Sequence, residues 1–325
     1  MKKALSLLLL IAISCQKVPE SATPIFYITG LRNENARKLR DNCVFRYKIE
    51  NKFERLNDQI QQSAVKAALE GWQTKNTNIR FLRYQGSNPE IALRFIPNTV
   101  LENSEVTAPL GLVRGKVMTL SSFKKENTNT QIILLNADFD WDAAAITRVV
   151  MHQTGLYLGL NTATDLNSAM NPVFQKGQGG ISKADSTLVN NLYPQKCILK
   201  DFNLLPQSLS VNKPTTAKII LDKQTPIVIK ATGGIRVGLF IGISTPKGLE
   251  RGLFNFPIDE YNIVPDFNHG ALMYRINDNP TWTYCGDGCE IETDGVSEYI
   301  EITFGINDNN LLDNSGTYTI AMTQK

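Results

Sequence analysis

Met151-His152-Gln153-Thr154-Gly155-Leu156-Tyr157-Leu158-Gly159-Leu160-Asn161-Thr162 decides the first half of this chain. It closes a run over residues 142–160 that is rich in alanine and apolar residues and predicts a helix. Residues four apart share a helix face, so His152 and Leu156 stand one above the other. Gly159 falls near the end of that run, and Thr162 lies just beyond it. Ser168-Ala169-Met170-Asn171-Pro172 follows closely.

Outward from this segment the pattern is regular. Residues 44–50 alternate apolar and polar side chains, the signature of a strand. Asn57-Asp58 offers an N-cap for a helix in which Ile60, Ala64, Val65, Ala67, Ala68 and Trp72 follow helical spacing. Residues 79–84 and 91–96 read as strands, parted by Gly86-Ser87-Asn88-Pro89 and closed by Pro97. Residues 132–135 form a short buried strand, and a last helix spans 182–193, with Ser182 and Asp185 suited to its first turn. Beyond Cys197 come short β-rich runs at 217–221, 227–231, 238–243, 271–276, 299–304 and 317–322. Such spacing predicts an all-β sandwich.

A chain of 325 residues implies two domains, and 42% hydrophobic with 20% charged residues describes a globular protein with a sizeable core. The net charge of +3 and the lack of long Lys/Arg runs argue against a nucleic-acid partner. Met1-Lys2-Lys3 and the apolar residues 4–13 form a signal-peptide pattern over 1–14, too short to span a bilayer as a mature helix. Ala12-Ile13-Ser14-Cys15 resembles a bacterial lipobox, which implies cleavage before Cys15 and its acylation; an ordinary secretory signal with a chance cysteine is the other reading. Lipidated Cys15 would anchor the protein to the membrane of the bacterial cell envelope, and Gln16 after it favours the outer membrane, as in such lipoproteins. Residues 15–40, polar and mixed, read as a tether.

Four cysteines remain, an even number in an exported protein. Cys285 and Cys289 flank Gly286-Asp287-Gly288, which can close locally, leaving Cys43 with Cys197 at the two ends of the first domain. Metal binding by Cys285 and Cys289 is the competing reading.

The order strand, Ala-rich helix into Trp72, two strands, Ile133-Leu134-Leu135-Asn136, Trp141, then the His152 helix resembles the matrixin catalytic domain over residues 43–195. Tyr47-Lys48-Ile49, Pro89-x-Ile91-x-Leu93-x-Phe95, Asp185 and Leu192-Tyr193 fit the same pattern. Matrixins are metzincin zinc peptidases with the motif H-E-x-x-H-x-x-G-x-x-H and a later Met-turn. On that resemblance His152 is a remnant of the first zinc ligand, Gly159 the structural glycine and Met170 the Met-turn residue. Gln153 stands at the general-base position, and Leu156 and Thr162 stand where the other two ligands should be. A catalytic zinc of this kind needs three imidazoles. The chain has two histidines, and the second, His269, belongs to the C-terminal half. Asp165 lies three residues past the third ligand position. Zinc is therefore not expected, no catalytic set is intact, and neither Ser168 nor Ser182 has an identifiable histidine partner. Asp138 and Asp140 could bind calcium as matrixin loops do, or form a solvated loop face.

The stretches 227–233 and 270–273, and Asn307-Asp308 with Asp313-Asn314-Ser315-Gly316, resemble the PA-IL type of galactose-binding calcium lectin. The resemblance implies calcium in the C-terminal domain held by Asp308, Asp313 and Asn314, with carbonyls near Val237 and Leu312; a hairpin turn is the alternative for 313–316. Pro257 and Glu260 fall where the family's sugar-contacting His and Gln belong, so galactose specificity does not carry over. Trp282 and Tyr284 offer a stacking surface, or core.

The expected fold is thus an α+β metzincin-like domain, a mixed twisted sheet with long helices, over 41–198, followed by an all-β sandwich over 199–325. The expected function is an inactive metallopeptidase relative that binds carbohydrate or a cell-surface protein. An active zinc metalloendopeptidase with atypical ligands and a purely structural lipoprotein are the alternatives.

Overall fold

The computed structural model describes residues 25–30, 43–102, 117–125, 130–177, 179–197, 205, 207–221 and 224–325. The signal-peptide pattern and Cys15 lie outside the described residues. The first part runs β1 (Ile25–Ile28), β2 (Val44–Ile49), α1 (Asp58–Lys75), β3 (Arg80–Arg83), β4 (Ile91–Ile96), α2 (Asn98–Glu102), β5 (Val117–Lys125), β6 (Gln131–Asn136), α3 (Ala143–Tyr157), β7 (Val173–Phe174) and α4 (Lys183–Leu192). Its strands form one mixed sheet in the order β3-β2-β4-β6-β5-β1-β7. β3, β2, β4 and β6 are mutually parallel and β5 runs against β6. The central strands are buried along most of their length, which is why 132–135 reads as an unbroken apolar run.

Local chemistry places the helices. The Asn57 side chain accepts from the N–H groups of Gln59 and Ile60 at 2.8 and 3.3 Å, starting α1 where the cap was expected. Its buried face is Gln61, Ala64, Val65, Ala68, Leu69 and Trp72, whereas Ile60 and Ala67 point outward. Trp72 Nε1 donates to the Met151 carbonyl at 2.9 Å and fixes α1 against α3. Ser182 and Asp185 form a reciprocal capping box at α4.

Two expectations for this part need correction. The helices are not long: the four have 18, 5, 15 and 10 residues. Asn76 ends the first and the left-handed turn at Gly159 (φ 95°) follows the third. Within the segment read as a tether, Ile25–Ile28 is a strand, parallel to β5 and antiparallel to β7. Four apolar residues among polar flanks give little periodicity, but Phe26 packs edge-on against Phe139 and Phe174 at 5.1 and 6.5 Å.

The second part contains β8 (Gln207–Val211), β9 (Thr215–Ile220), β10 (Ile227–Val237), β11 (Ile243–Ser244), β12 (Leu272–Ile276), β13 (Thr283–Tyr284), β14 (Gly288–Ile291), β15 (Tyr299–Ile306) and β16 (Asn314–Gln324). One sheet is β11-β10-β16-β8 with β14 also paired to β10; the other is β13-β12-β15-β9. Side chains of both sheets, among them Ile219, Ile229, Phe304 and Ile320, share one core. β10 runs six residues past the expected 231 and pairs with β16 throughout. Residues 238–242 are a loop rather than a strand, because Gly238 and Gly242 take φ of 101° and 115°.

The two parts meet. Cys43–Cys197 and Cys285–Cys289 are both disulfide-bonded. Val44, Leu82 and Tyr84 pack with Ile220 and Tyr299 beside the first of these bonds. Arg46 pairs with Glu90 at 2.9 Å in its own part and with Glu301 at 3.0 Å in the other, its guanidinium lying 4.7 Å from the Tyr84 ring centroid.

Candidate functional site

His152 is fully buried on α3. Its Nδ1 lies 3.0 Å from the carbonyl of Ala169, an acceptor only, so Nδ1 carries the proton and Nε2 the lone pair. Nε2 has no hydrogen-bond partner among the described residues. Burial, then the nearby Arg148 guanidinium, push the ring's pKa down to about 3 against the opposing Ala169 hydrogen bond. The imidazole is therefore neutral near neutral pH.

Gln153 is also fully buried, and its Nε2 donates to the Thr29 carbonyl at 2.7 Å and to Ser121 Oγ at 2.9 Å. The amide thus ties α3 to the end of β1 and to β5. Leu156 is 1% exposed and belongs to the main core, whereas Thr162 is exposed on the turn after the helix. Gly159 makes that turn as expected, and Met170 is buried against Gly155: a Cβ on Gly155 would meet Met170 Sδ at 2.3 Å. Asp165, Asp138 and Asp140 are exposed, and Asp138 accepts from the Asn98 N–H at 2.8 Å.

One residue of this site escapes a reading by motif. Arg148, one helical turn before His152, is 6% exposed and donates to the carbonyls of Ala169, Asn171 and Ser168 at 3.0, 2.6 and 3.4 Å. Asp185 accepts from Ser168 Oγ at 2.8 Å, the Ala169 N–H at 3.2 Å and the Ser182 N–H at 2.9 Å. A fixed cation and a fixed anion thereby hold residues 168–171 beneath α3. An arginine inside an otherwise apolar helix run is the signal that could have pointed to it.

In the β domain, Asp308 is 2% exposed, Asp313 is exposed, and both polar atoms of the Asn314 side chain are buried without a partner among the described residues. Val237 pairs with Asn314 across β10 and β16, and a Cβ on Gly238 would lie 3.5 Å from Asp313 Oδ2. These residues therefore converge where β10 ends and β16 begins. Leu239, Phe240, Phe254 and Leu312 are large exposed side chains of the same part of the chain, Phe254 and Leu312 almost fully exposed. Pro257 and Glu260 are exposed nearby in sequence on 253–261. Trp282 lies under the Arg275 guanidinium at 4.9 Å, and Tyr284 is half-exposed with its hydroxyl donating to the Lys247 carbonyl at 3.2 Å. No group of three or more His, Cys, Asp or Glu suited to a metal gathers among the described residues.

Residues 38–194 match the Peptidase_M10 family model, Matrixin. This part of the chain is accordingly a matrixin-like metallopeptidase domain in fold, and the match ends just before the cysteine that closes it. No curated protein matches the chain.

Proposed function

We propose that this protein is a lipid-anchored component of a bacterial envelope whose matrixin-like domain has lost peptidase activity and whose β domain binds carbohydrate or a cell-surface protein. One observation carries the loss of activity: His152 and Gln153 are wholly buried and Leu156 is core. A catalytic zinc needs three protein ligands and an open position for water. Leu156 has no lone pair and Thr162 lies out on the surface, so the residues present do not fit that ion. The amide of Gln153 cannot take a proton near neutral pH and is committed as a donor to Thr29 and Ser121. Losing a positioned base alone costs about 10²–10⁴-fold in rate.

The second reading, an active zinc metalloendopeptidase with atypical ligands, has one point in its favour. His152 donates through Nδ1 and its Nε2 has no partner among the described residues, the arrangement of a metal-bound imidazole. Metal content and cleavage of an unfolded protein substrate decide between them. Stoichiometric zinc with hydrolysis that disappears in His152→Ala establishes the peptidase; neither one supports the inert scaffold.

For the β domain, the buried Asp308 and the Asn314 amide, both ends of which lack a partner among the described residues, support a cation-assisted binding site. Calcium takes six to eight oxygens, and sugar hydroxyls could complete a shell begun by Asp308, Asp313, Asn314 and backbone carbonyls. Glycan-array binding that chelator or Asp308→Ala abolishes is the expected result. Calcium-independent capture of protein alone would favour a protein partner. Anchoring rests on the sequence around Cys15, and loss of detergent-phase partitioning in Cys15→Ala tests it.

A further inference from the structure

His269 is the only other histidine of the chain, and the site just described leaves it without a role. It is 1% exposed, held by reciprocal backbone hydrogen bonds with Leu249 at 3.0 and 2.8 Å. Its Nδ1 lies 3.0 Å from Asn262 Oδ1. The other end of that amide donates to the Phe267 carbonyl at 3.0 Å, which fixes the oxygen toward the ring. Nδ1 therefore carries the proton, and Nε2 presents a lone pair. Asn307, fully buried, donates to the carbonyls of Val264, Phe267 and Asn268, so the loop that carries the ring is itself braced.

The lone pair faces other acceptors. Nε2 has no hydrogen-bond partner among the described residues, and Asp308 Oδ2 lies 4.0 Å away. The Asp308 and Asp313 carboxylates and the Val237 carbonyl act on the same ring. The Asn314 amide, opposite Val237 in the β10–β16 register, is buried and unsatisfied. An imidazole lone pair, a buried carboxylate and a carbonyl close to one another repel unless a cation lies among them. Two ligands each about 2.0–2.2 Å from a shared ion sit no more than roughly 4.4 Å apart, so the Nε2–Oδ2 spacing admits such an ion.

We infer that His269 Nε2, Asp308, Asn314 and the Val237 carbonyl form a binding site for a first-row divalent transition metal of the Mn²⁺, Co²⁺ or Zn²⁺ kind. The inference rests on the cation site proposed above and changes its chemistry. Calcium is an oxygen-seeking ion, whereas imidazole suits the later first-row metals. The set has one imidazole and one buried carboxylate, completed by amide and carbonyl oxygens, which is why it is not a His/Cys/Asp/Glu triad. Asn262 is the outer partner that orients the ring, as carbonyls and carboxylates do for metal-bound histidines.

The test uses the full chain with Mn²⁺, Co²⁺, Zn²⁺ and Ca²⁺ in turn, by calorimetry and thermal shift, together with ¹⁵N-histidine NMR. With two imidazoles in the chain, each resonance is assignable by substitution. The expected result is a Zn²⁺-induced shift of the His269 Nε2 signal with His152 unchanged. Transition-ion affinity should fall at least about tenfold in His269→Gln and about 10–100-fold in Asn262→Ala, while Ca²⁺ binding changes little in His269→Gln. If His269→Gln fails to fold, the NMR experiment on the unaltered protein decides alone. Calcium binding with no transition-ion binding, or transition-ion binding indifferent to His269, overturns this inference and leaves the calcium site standing. No binding of any of the four ions overturns both.

Discussion

The two histidines share almost every local feature and sit in opposite surroundings. Each is buried, each has Nδ1 beside a side-chain or backbone oxygen, and each Nε2 lacks a hydrogen-bond partner among the described residues. His152, however, has the Arg148 cation one turn before it and Leu156 one turn after. His269 has the Asp308 carboxylate at 4.0 Å and carbonyl and amide groups beside it. An oriented imidazole is thus not by itself a metal site; what converges on its lone pair decides. The matrixin-like domain surrounds its ring with core and a fixed positive charge. The β domain surrounds its ring with groups that attract one.

The contrast can be broken most forcefully at Arg148. Arg148→Met leaves three buried carbonyls without their donor and should cost about 3–5 kcal/mol, by the precedent of splitting buried charged networks, read from denaturant unfolding. The same variant should raise the pKa of His152, since a neighbouring cation is gone. A stability loss under about 1 kcal/mol would show that water replaces the guanidinium easily.

Leu156→Ala comes next, with an expected loss of about 2–5 kcal/mol from a core cavity. If Leu156 merely lined an open cleft, the loss would fall well below that range. The pH dependence is a finer probe. The folded-state pKa of His152, about 3, lies below the unfolded value. Between the ordinary histidine range and about 3 the unfolded chain therefore binds a proton that the folded chain refuses. Stability should fall on acidification through that window, by about 1.4 kcal/mol per pH unit. His152→Gln should flatten this part of the curve, and an unchanged slope would mean that the ring is not held neutral.

The smallest effect sharpens the comparison from the other side. Without metal, His269→Gln should change stability by less than about 1 kcal/mol, because the glutamine amide keeps a donor that can face the Asn262 oxygen. A loss of several kcal/mol in metal-free buffer would make His269 a structural core residue like His152.

Much of the frame was legible beforehand because its causes are local. Asn57 caps α1 through its own side chain, Ser182 and Asp185 box the start of α4, and the glycines between Cys285 and Cys289 let a disulfide close. The strands at 44–49, 91–96 and 131–136 announce themselves by composition. Ile25–Ile28 did not, since only its neighbours on both sides make four residues a strand. Residues 238–242 misled in the other direction, an apolar run that two left-handed glycines turn into a loop. The site divides in the same way. That position 156 is a hydrocarbon and position 153 an amide is plain from the sequence alone. Arg148 needed the carbonyls of 168–171 to acquire a meaning, and Asp308 needed His269.

The linear order of residues determined that position 156 holds a leucine, that position 153 is an amide and that the chain has two imidazoles. These are matters of identity, and no folding can supply a lone pair to a hydrocarbon. Which imidazole faces a carboxylate was decided only in three dimensions. The antiparallel register that runs Leu272 against Ile306 carries His269 to Asp308, 39 residues away, and such pairing is set by packing across a whole sheet rather than by any nearby residue.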